Sequence, residues 1–153
     1  MSIFIKYLSV FFISMLPIFE LRGAVPWGVA NDLPLLAVLT VSIIGNMIPV
    51  PFIILFIRHI FAWMKKKSTW LRNIAEKLEK KAHAKGDILV KYETFGLFLL
   101  VAIPLPGTGA WTGSLVAALF DLRLKNALPA IFLGVVAAGI IMSVISYGVD
   151  ALI

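Results

Sequence analysis

Hydrophobic residues occur in four long stretches, and the lengths of these stretches predict two spanning helices and two interrupted ones. The intervals Leu33–Ile57 and Asn126–Val149 each supply the roughly 20 apolar residues that cross the hydrocarbon core of a bilayer. Ile3–Leu16 is shorter and ends at a proline, whereas Thr94–Phe120 is cut near its middle by two prolines and two glycines. Because an interior proline costs a helix about 3 kcal/mol, we expect the interrupted stretches to form half-helices.

The interrupted stretches are predicted to be re-entrant hairpins, which enter and leave the membrane on the same side. The first joins Ile3–Phe19 to Gly23–Asn31, and the second joins the two halves of Thr94–Phe120. Ten of the fourteen Lys and Arg residues lie between positions 58 and 91, so the positive-inside rule places this segment in the cytoplasm. A hairpin keeps Arg123 and Lys125 on that side, whereas a spanning helix at Thr94–Phe120 would carry them outside.

The order of hairpin followed by spanning helix occurs twice, which indicates a duplication. The two copies align through prolines and glycines: Pro17 with Pro104, Gly23 with Gly109, and Pro34 with Pro129. Since one copy crosses the membrane once, two copies in series run in opposite directions and form an inverted repeat, as in many transporters. The predicted fold is a single all-α membrane domain over residues 1–153, with repeat 1 at 3–57, a basic linker at 58–91 and repeat 2 at 94–150.

The basic linker contains a predicted amphipathic helix at Ser68–Lys85. Ser68 or Thr69 can cap it, Arg72 and Glu76 are spaced for an ion pair, and Gly86 can end it. Its basic face would contact anionic lipid headgroups. A solvated linker helix without a role at the membrane is the alternative.

The last helix carries small residues at every fourth position, namely Ala130, Gly134 and Ala138. Small residues at this spacing let two helices approach closely in lipid. We expect the stripe to pack within the chain, with a homodimer contact as the alternative.

Composition narrows the class of protein. With 61% hydrophobic residues, 14% charged residues and a mean hydropathy of +1.00, the chain is predicted to be an integral membrane protein. The absence of cysteine excludes disulfides and thiolate chemistry. The apolar N-terminal stretch has no small-x-small cleavage site, so we expect it to be retained. The sequence has no motif for metal binding, catalysis or nucleic-acid binding, so we expect neither an enzyme, nor a cofactor, nor a nucleic-acid partner.

Two charged residues lie in the first interruption, between apolar segments. Glu20 and Arg22 at membrane depth form a functional-site hypothesis, because burying charges there is costly. Glu20 is the candidate proton carrier, and Arg22 offers a fork of donors suited to phosphate or carboxylate. A structural Glu–Arg pair is the alternative. Asp32 is a second candidate for proton coupling or, equally, a helix cap, whereas Asn46 is expected to satisfy backbone groups near Pro49.

The second interruption contains no charge but offers backbone N–H groups. Gly107, Thr108 and Gly109 precede a half-helix starting near Ala110, whose N-terminus favours an anion. A tight turn without a ligand is the alternative. The candidate substrate-binding residues of both interruptions are Arg22, Gly23, Gly107, Thr108, Gly109, Trp111 and Thr112, with Trp27 as a second tryptophan that could line the cavity.

The segments Glu20–Gly28 and Pro104–Gly113 resemble the two signature segments of the family described as "putative small multidrug export protein". This family is similar in layout to the DedA (VTT) membrane proteins, which have two facing re-entrant hairpins. The resemblance implies a bacterial or archaeal inner-membrane protein, and the DedA relatives are linked to lipid phosphates and proton-driven transport. Glu20 and Arg22 match the charged pattern of the first DedA hairpin, whereas the second hairpin here lacks an internal arginine.

The leading hypothesis is a small secondary transporter or lipid flippase. It would move an amphipathic, anionic substrate such as a lipid phosphate, with Glu20 carrying a proton. Its partners would be membrane lipid and the substrate, with a homodimer as an alternative arrangement of the chain. An ion or proton channel built on the same hairpin tips is one alternative. A non-transporting membrane assembly factor is the other.

Overall fold

The computed structural model describes residues 1–77, Lys80 and residues 93–150, and within these ranges the regular elements are α-helices, with no β-strand. The prediction of an all-α protein is therefore confirmed for the described residues. By length and composition, two of the helices could cross a membrane: Leu35–Lys67, with 33 residues, and Leu124–Val149, with 26.

The first interruption separates α1 (Ile3–Met15) from α2 (Glu20–Ala30). Ser2 begins α1 as its N-cap, and the chain turns at residues 16–19. The second arm begins at Glu20 rather than at Gly23, the predicted first residue. This three-residue difference matters because it makes Glu20 the first residue of a helix.

The first long helix combines α3 (Leu35–Met47) and α4 (Pro49–Lys67). Pro49 occupies the first position of α4, where a proline is well tolerated, and Ile48 keeps helical backbone angles between the two segments. The prediction that this helix ends at Ile57 is wrong. The helix continues to Lys67 because no glycine, proline or capping residue interrupts it before Ser68.

The linker helix, α5, is described over residues 69–77. Ser68 caps it through a hydrogen bond from the Leu71 amide (3.3 Å), and Arg72 pairs with Glu76 at 3.4 Å, as the spacing predicts. The rest of the predicted helix up to Lys85, Lys80 aside, lies outside the described residues.

The second interruption separates α6 (Glu93–Ala102) from α7 (Ala110–Leu119), and α8 (Leu124–Asp150) follows. The predicted division of this apolar stretch into two half-helices is therefore confirmed. The connection at residues 103–109 contains two glycines with positive φ, Gly107 (78°) and Gly109 (127°).

Helix α8 packs against α6, α2 and α3, while α7 packs against α4, and α1 packs against α2 and α3. Gly134 allows a close approach of α8 to α6, since a Cβ there would lie 2.7 Å from Cβ of Val101. Ala130 and Ala138 are buried on the same stripe. The expectation that the small residues of the last helix pack within the chain is confirmed.

Candidate functional site

Glu20 meets the N-terminus of α7. It is 3% exposed, and its carboxylate accepts hydrogen bonds from the amides of Ala110 (3.3 Å) and Trp111 (3.0 Å). The N-cap position of α7 is Gly109, which has no side chain to bind these amides. Glu20 therefore supplies, from the other half of the chain, the cap that α7 lacks, and its negative charge faces the positive end of the helix dipole.

Gly109 is required both for its backbone conformation and for the space beside it. Its φ of 127° and ψ of −168° fall in a region that is nearly restricted to glycine. A Cβ at this position would overlap Oε2 of Glu20 and lie 2.6 Å from Nη1 of Arg22. The absence of a side chain at Gly109 thus lets the two charged groups reach the start of α7.

Arg22 binds the opposite side of the same break, where α6 ends. Its guanidinium donates to the carbonyl of Thr108, to the hydroxyl of Thr108 (2.8 Å) and to the carbonyl of Ile103 (3.0 Å), with a longer contact to the carbonyl of Val101 (3.4 Å). Carbonyls at the end of a helix lack internal partners and carry partial negative charge, which a cation stabilises. Arg22 thus provides the charge that the end of α6 requires.

The Glu–Arg pair of α2 therefore satisfies both helix ends at the second interruption. Nη1 of Arg22 lies 3.7 Å from Oε2 of Glu20, so the two charges also form an ion pair with each other. The Thr108 hydroxyl extends the network, because it can donate a hydrogen bond to the carbonyl of Ile103 (2.7 Å) or of Leu105 (2.8 Å). The two interruptions, distant in sequence, form one polar cluster.

Asn46 is a member of this cluster that sequence reasoning missed. It lies in α3, is 2% exposed, and borders the same narrow space as Glu20, Arg22 and Gly109. Its Oδ1 has no hydrogen-bond partner among the described residues. The sequence feature that could have indicated this role is a side-chain amide within a long apolar stretch, because a buried amide requires a hydrogen-bond partner.

The cluster is dry. The space bordered by Glu20, Arg22, Asn46 and Gly109 is too narrow to admit a water molecule. Electrostatic interactions are stronger where water is excluded, so the Glu20–Arg22 pair and its two helix ends are tightly coupled. Within residues 1–77 and 93–149, no group of three or more His, Cys, Asp or Glu side chains could hold a metal ion.

An apolar groove adjoins the cluster on the α1 side. It has a volume of about 790 Å³ and is lined by Leu8, Phe12 and other apolar residues of α1, together with Trp27 and Trp111. The indole N–H of Trp111 donates to the carbonyl of Met15 (3.0 Å), which fixes the ring against the end of α1. Trp111 thus contacts both regions, since its amide binds Glu20 and its ring lines the groove.

The remaining predicted residues lie around or away from the cluster. Thr112 donates to the carbonyl of Gly107 (2.9 Å) and so closes the turn on its outer side. Gly23 packs against Phe19, where a Cβ would approach the Phe19 side chain to 2.9 Å. Asp32 follows the other end of α2, roughly 18 Å from Glu20 by the rise of a helix, and is not brought into the cluster.

The fold and the site define an all-helical protein with two helices of membrane-spanning length. The two halves of its chain meet at a buried Glu–Arg cluster. The chain belongs to the family described as "Putative small multi-drug export protein", whose model matches residues 20–141. The match begins at Glu20 and includes both arms of the second interruption. This finding supports a membrane transport protein. No curated protein and no solved structure matches the chain.

Proposed function

We propose that this protein is a small secondary transporter of a bacterial or archaeal cytoplasmic membrane. It exports an amphipathic, anionic substrate such as a lipid phosphate, coupled to protonation of Glu20. The observation that carries the proposal is the pairing of Glu20 with the start of α7 across the two interruptions. Transport on this account involves no covalent step, and the partners are membrane lipid and the substrate.

The start of α7 is an anion site that is filled by a side chain of the protein itself. The amides of Ala110 and Trp111 bind the Glu20 carboxylate, and a substrate phosphate would need the same donors. Protonation of Glu20 removes its charge and weakens its hold on this helix end. The substrate can then take its place, and the return of the carboxylate would expel it.

Two neighbours of Glu20 support this exchange. Oδ1 of Asn46 is without a partner among the described residues, so it can accept a hydrogen bond from protonated Glu20 once the amide rotates. Arg22 holds the loop of the second interruption by three contacts and the end of α6 by a fourth, and it would offer its guanidinium to an anionic head when that loop moves. Glu20 itself has a φ of 47°, a strained conformation of the kind that accumulates at functional sites.

The apolar groove beside α1 fits the other part of an amphipathic substrate. At about 790 Å³ it is large enough for a lipid chain or the ring system of a drug, and its lining is almost entirely apolar. Trp111 joins the groove to the anion site. A substrate with a charged head and an apolar body could therefore occupy both regions at once.

An inverted repeat with re-entrant hairpins, the layout of the DedA proteins, is the architecture we propose. In its support, α2 and α7 begin and end alike. Helix α2 starts at a positive-φ residue, Glu20, and α7 starts just after one, Gly109. Each helix is followed by an aspartate with positive φ, which is Asp32 after α2 and Asp121 after α7. The two pairs have the same separation along the sequence. This match shifts the glycine-based alignment by three residues, because it sets Glu20 rather than Gly23 opposite Gly109. The packing between the repeats also supports the inverted repeat. In each case the second arm of one interruption packs on the long helix of the other repeat, α2 on α8 and α7 on α4.

The proposal is tested by flux into vesicles containing the purified protein. The probes are a fluorescent short-chain phosphatidic acid and the cationic dye ethidium, each followed with and without a pH gradient. We expect saturable flux of the anionic probe that depends on the gradient. Glu20→Gln should abolish it while the protein still folds and inserts, whereas the matched variant Glu76→Gln, on the half-exposed surface of α5, should retain it.

Other outcomes would contradict the proposal. Non-saturable movement of protons or small ions without either probe would indicate a channel. A folded wild-type protein that moves neither probe would favour a membrane assembly factor. Flux of ethidium alone would be consistent with a transporter but would contradict the proposal that its substrate is anionic.

A further inference from the structure

A second cavity lies between α4 and the end of α7, away from the Glu20 cluster. Its volume is about 340 Å³, and it is lined on α4 by Arg58, Phe61, Ala62 and Lys65 and on the other side by Ala118, Leu119 and Asp121. The α4 residues are spaced at three and four positions, so they form one face of the helix. Two cations and one carboxylate therefore border a space enclosed by apolar side chains.

Arg58 is held in place at the rim of this cavity. Its guanidinium donates to the carbonyl of Leu122, and its Nε lies 3.7 Å from Oδ1 of Asp121. Nε is buried and has no hydrogen-bond partner in the described part of the chain. The Asp121 side chain is 85% exposed and so directs most of its surface to solvent. Arg58 is thus fixed at the rim, and the Asp121 carboxylate neutralises its charge only in part.

The position of the cavity near the end of α4 indicates that it lies at the depth of the lipid headgroups. Lys65, Lys66 and Lys67 form the last turn of the long apolar helix, and Nζ of Lys67 lies 4.9 Å from the ring centre of the exposed Trp63. Tryptophan and lysine side chains at the end of an apolar helix are typical of the headgroup level of a membrane. A basic cavity between helices at this level is the kind of site that binds anionic lipid headgroups.

We propose that this cavity binds the phosphate of an anionic membrane lipid, with Arg58 and Lys65 as its cationic contacts. The lipid rather than free phosphate is the inferred source, because the apolar side chains of Phe61 and Ala62 lie between the two cations on the cavity face of α4, at the level of the exposed Trp63. This site is separate from the proposed transport site. Its occupancy does not depend on whether the protein transports a substrate.

The test is lipid retention by the purified full chain in detergent, measured by native mass spectrometry. Phosphatidylglycerol, phosphatidylcholine and inorganic phosphate are the three probes. We expect phosphatidylglycerol to bind most tightly, and Lys65→Gln to weaken it about fivefold to tenfold. Lys66→Gln removes the same charge one residue further along, outside the cavity lining, and should leave the affinity nearly unchanged.

Arg58 supplies a second variant, since Arg58→Lys keeps the charge but not the fork of donors. It should weaken phosphatidylglycerol binding without removing it, and its thermal unfolding is measured alongside to confirm folding. Equal losses in Lys65→Gln and Lys66→Gln would overturn the proposal in favour of a diffuse basic surface. Equal binding of phosphatidylcholine, or displacement of the lipid by inorganic phosphate, would overturn it as well.

Discussion

Gly109→Ala tests the contact on which the candidate site depends. The new methyl group would overlap Oε2 of Glu20 and lie 2.6 Å from Nη1 of Arg22, while the backbone stays at a φ of 127°. The two charged groups must then move away from the start of α7. Gly107→Ala is the matched control, because Gly107 also has a positive φ, 78°, but a methyl group there would have no atom within 4 Å.

The expected magnitudes follow from these differences. Alanine in the backbone region of Gly109 costs about 1–3 kcal/mol, and loss of even one charge-assisted hydrogen bond of Glu20 costs about 1.5–3 kcal/mol. Gly109→Ala should therefore lower the free energy of unfolding by about 3–6 kcal/mol. Gly107→Ala carries only the conformational cost, about 1–2 kcal/mol.

The assay is thermal unfolding of both variants in the same detergent. For a chain of this length, 1 kcal/mol corresponds to roughly 2–4 °C, so Gly109→Ala should unfold roughly 10 °C below Gly107→Ala. Repeating Gly109→Ala in a Glu20→Ala background should reduce its cost, since the overlapping carboxylate is gone. Equal losses in Gly107→Ala and Gly109→Ala, or full additivity with Glu20→Ala, would refute the reasoning.

Three further predictions concern packing, the polar network and topology. Gly45→Ala would place a methyl group 2.7 Å from a backbone oxygen of α1 and should lower the free energy of unfolding by about 1–3 kcal/mol, measured by thermal unfolding. Gly148→Ala, with open space around it, should be neutral or slightly stabilising. Thr108→Val removes the hydroxyl that joins the guanidinium to the loop and should cost about 1–3 kcal/mol, while Thr108→Ser should retain most of the stability; equal losses would contradict this role. Single cysteines at Ser68 and Asn126 should react with an impermeant reagent from the same, cytoplasmic side; labelling from opposite sides would rule out the second hairpin and the inverted repeat.

The sequence by itself determined the helical class, the positions of both interruptions and a cap at Ser68 or Thr69, of which the structure uses Ser68. These features depend on local physical chemistry: prolines and glycines disfavour a helix wherever they occur, and a serine hydroxyl binds an amide three residues away. The sequence also singled out Glu20 and Arg22, because charged residues between apolar segments are costly and therefore informative. The predicted end of the first long helix at Ile57 was wrong, since hydropathy falls there without any residue that ends a helix.

Only the tertiary structure decided what the charged residues contact. The start of α7 was predicted to be an open anion site, yet the Glu20 carboxylate occupies it across about 90 positions of the chain. The placement of Asn46 beside Glu20 and the hydrogen bond from Arg58 to the carbonyl of Leu122, just after α7, are of the same kind. A helix end requires a partner of opposite charge, but any suitable side chain in the chain can satisfy it. Which one does so depends on how α2, α3 and α4 pack against the second half, and that information is not local.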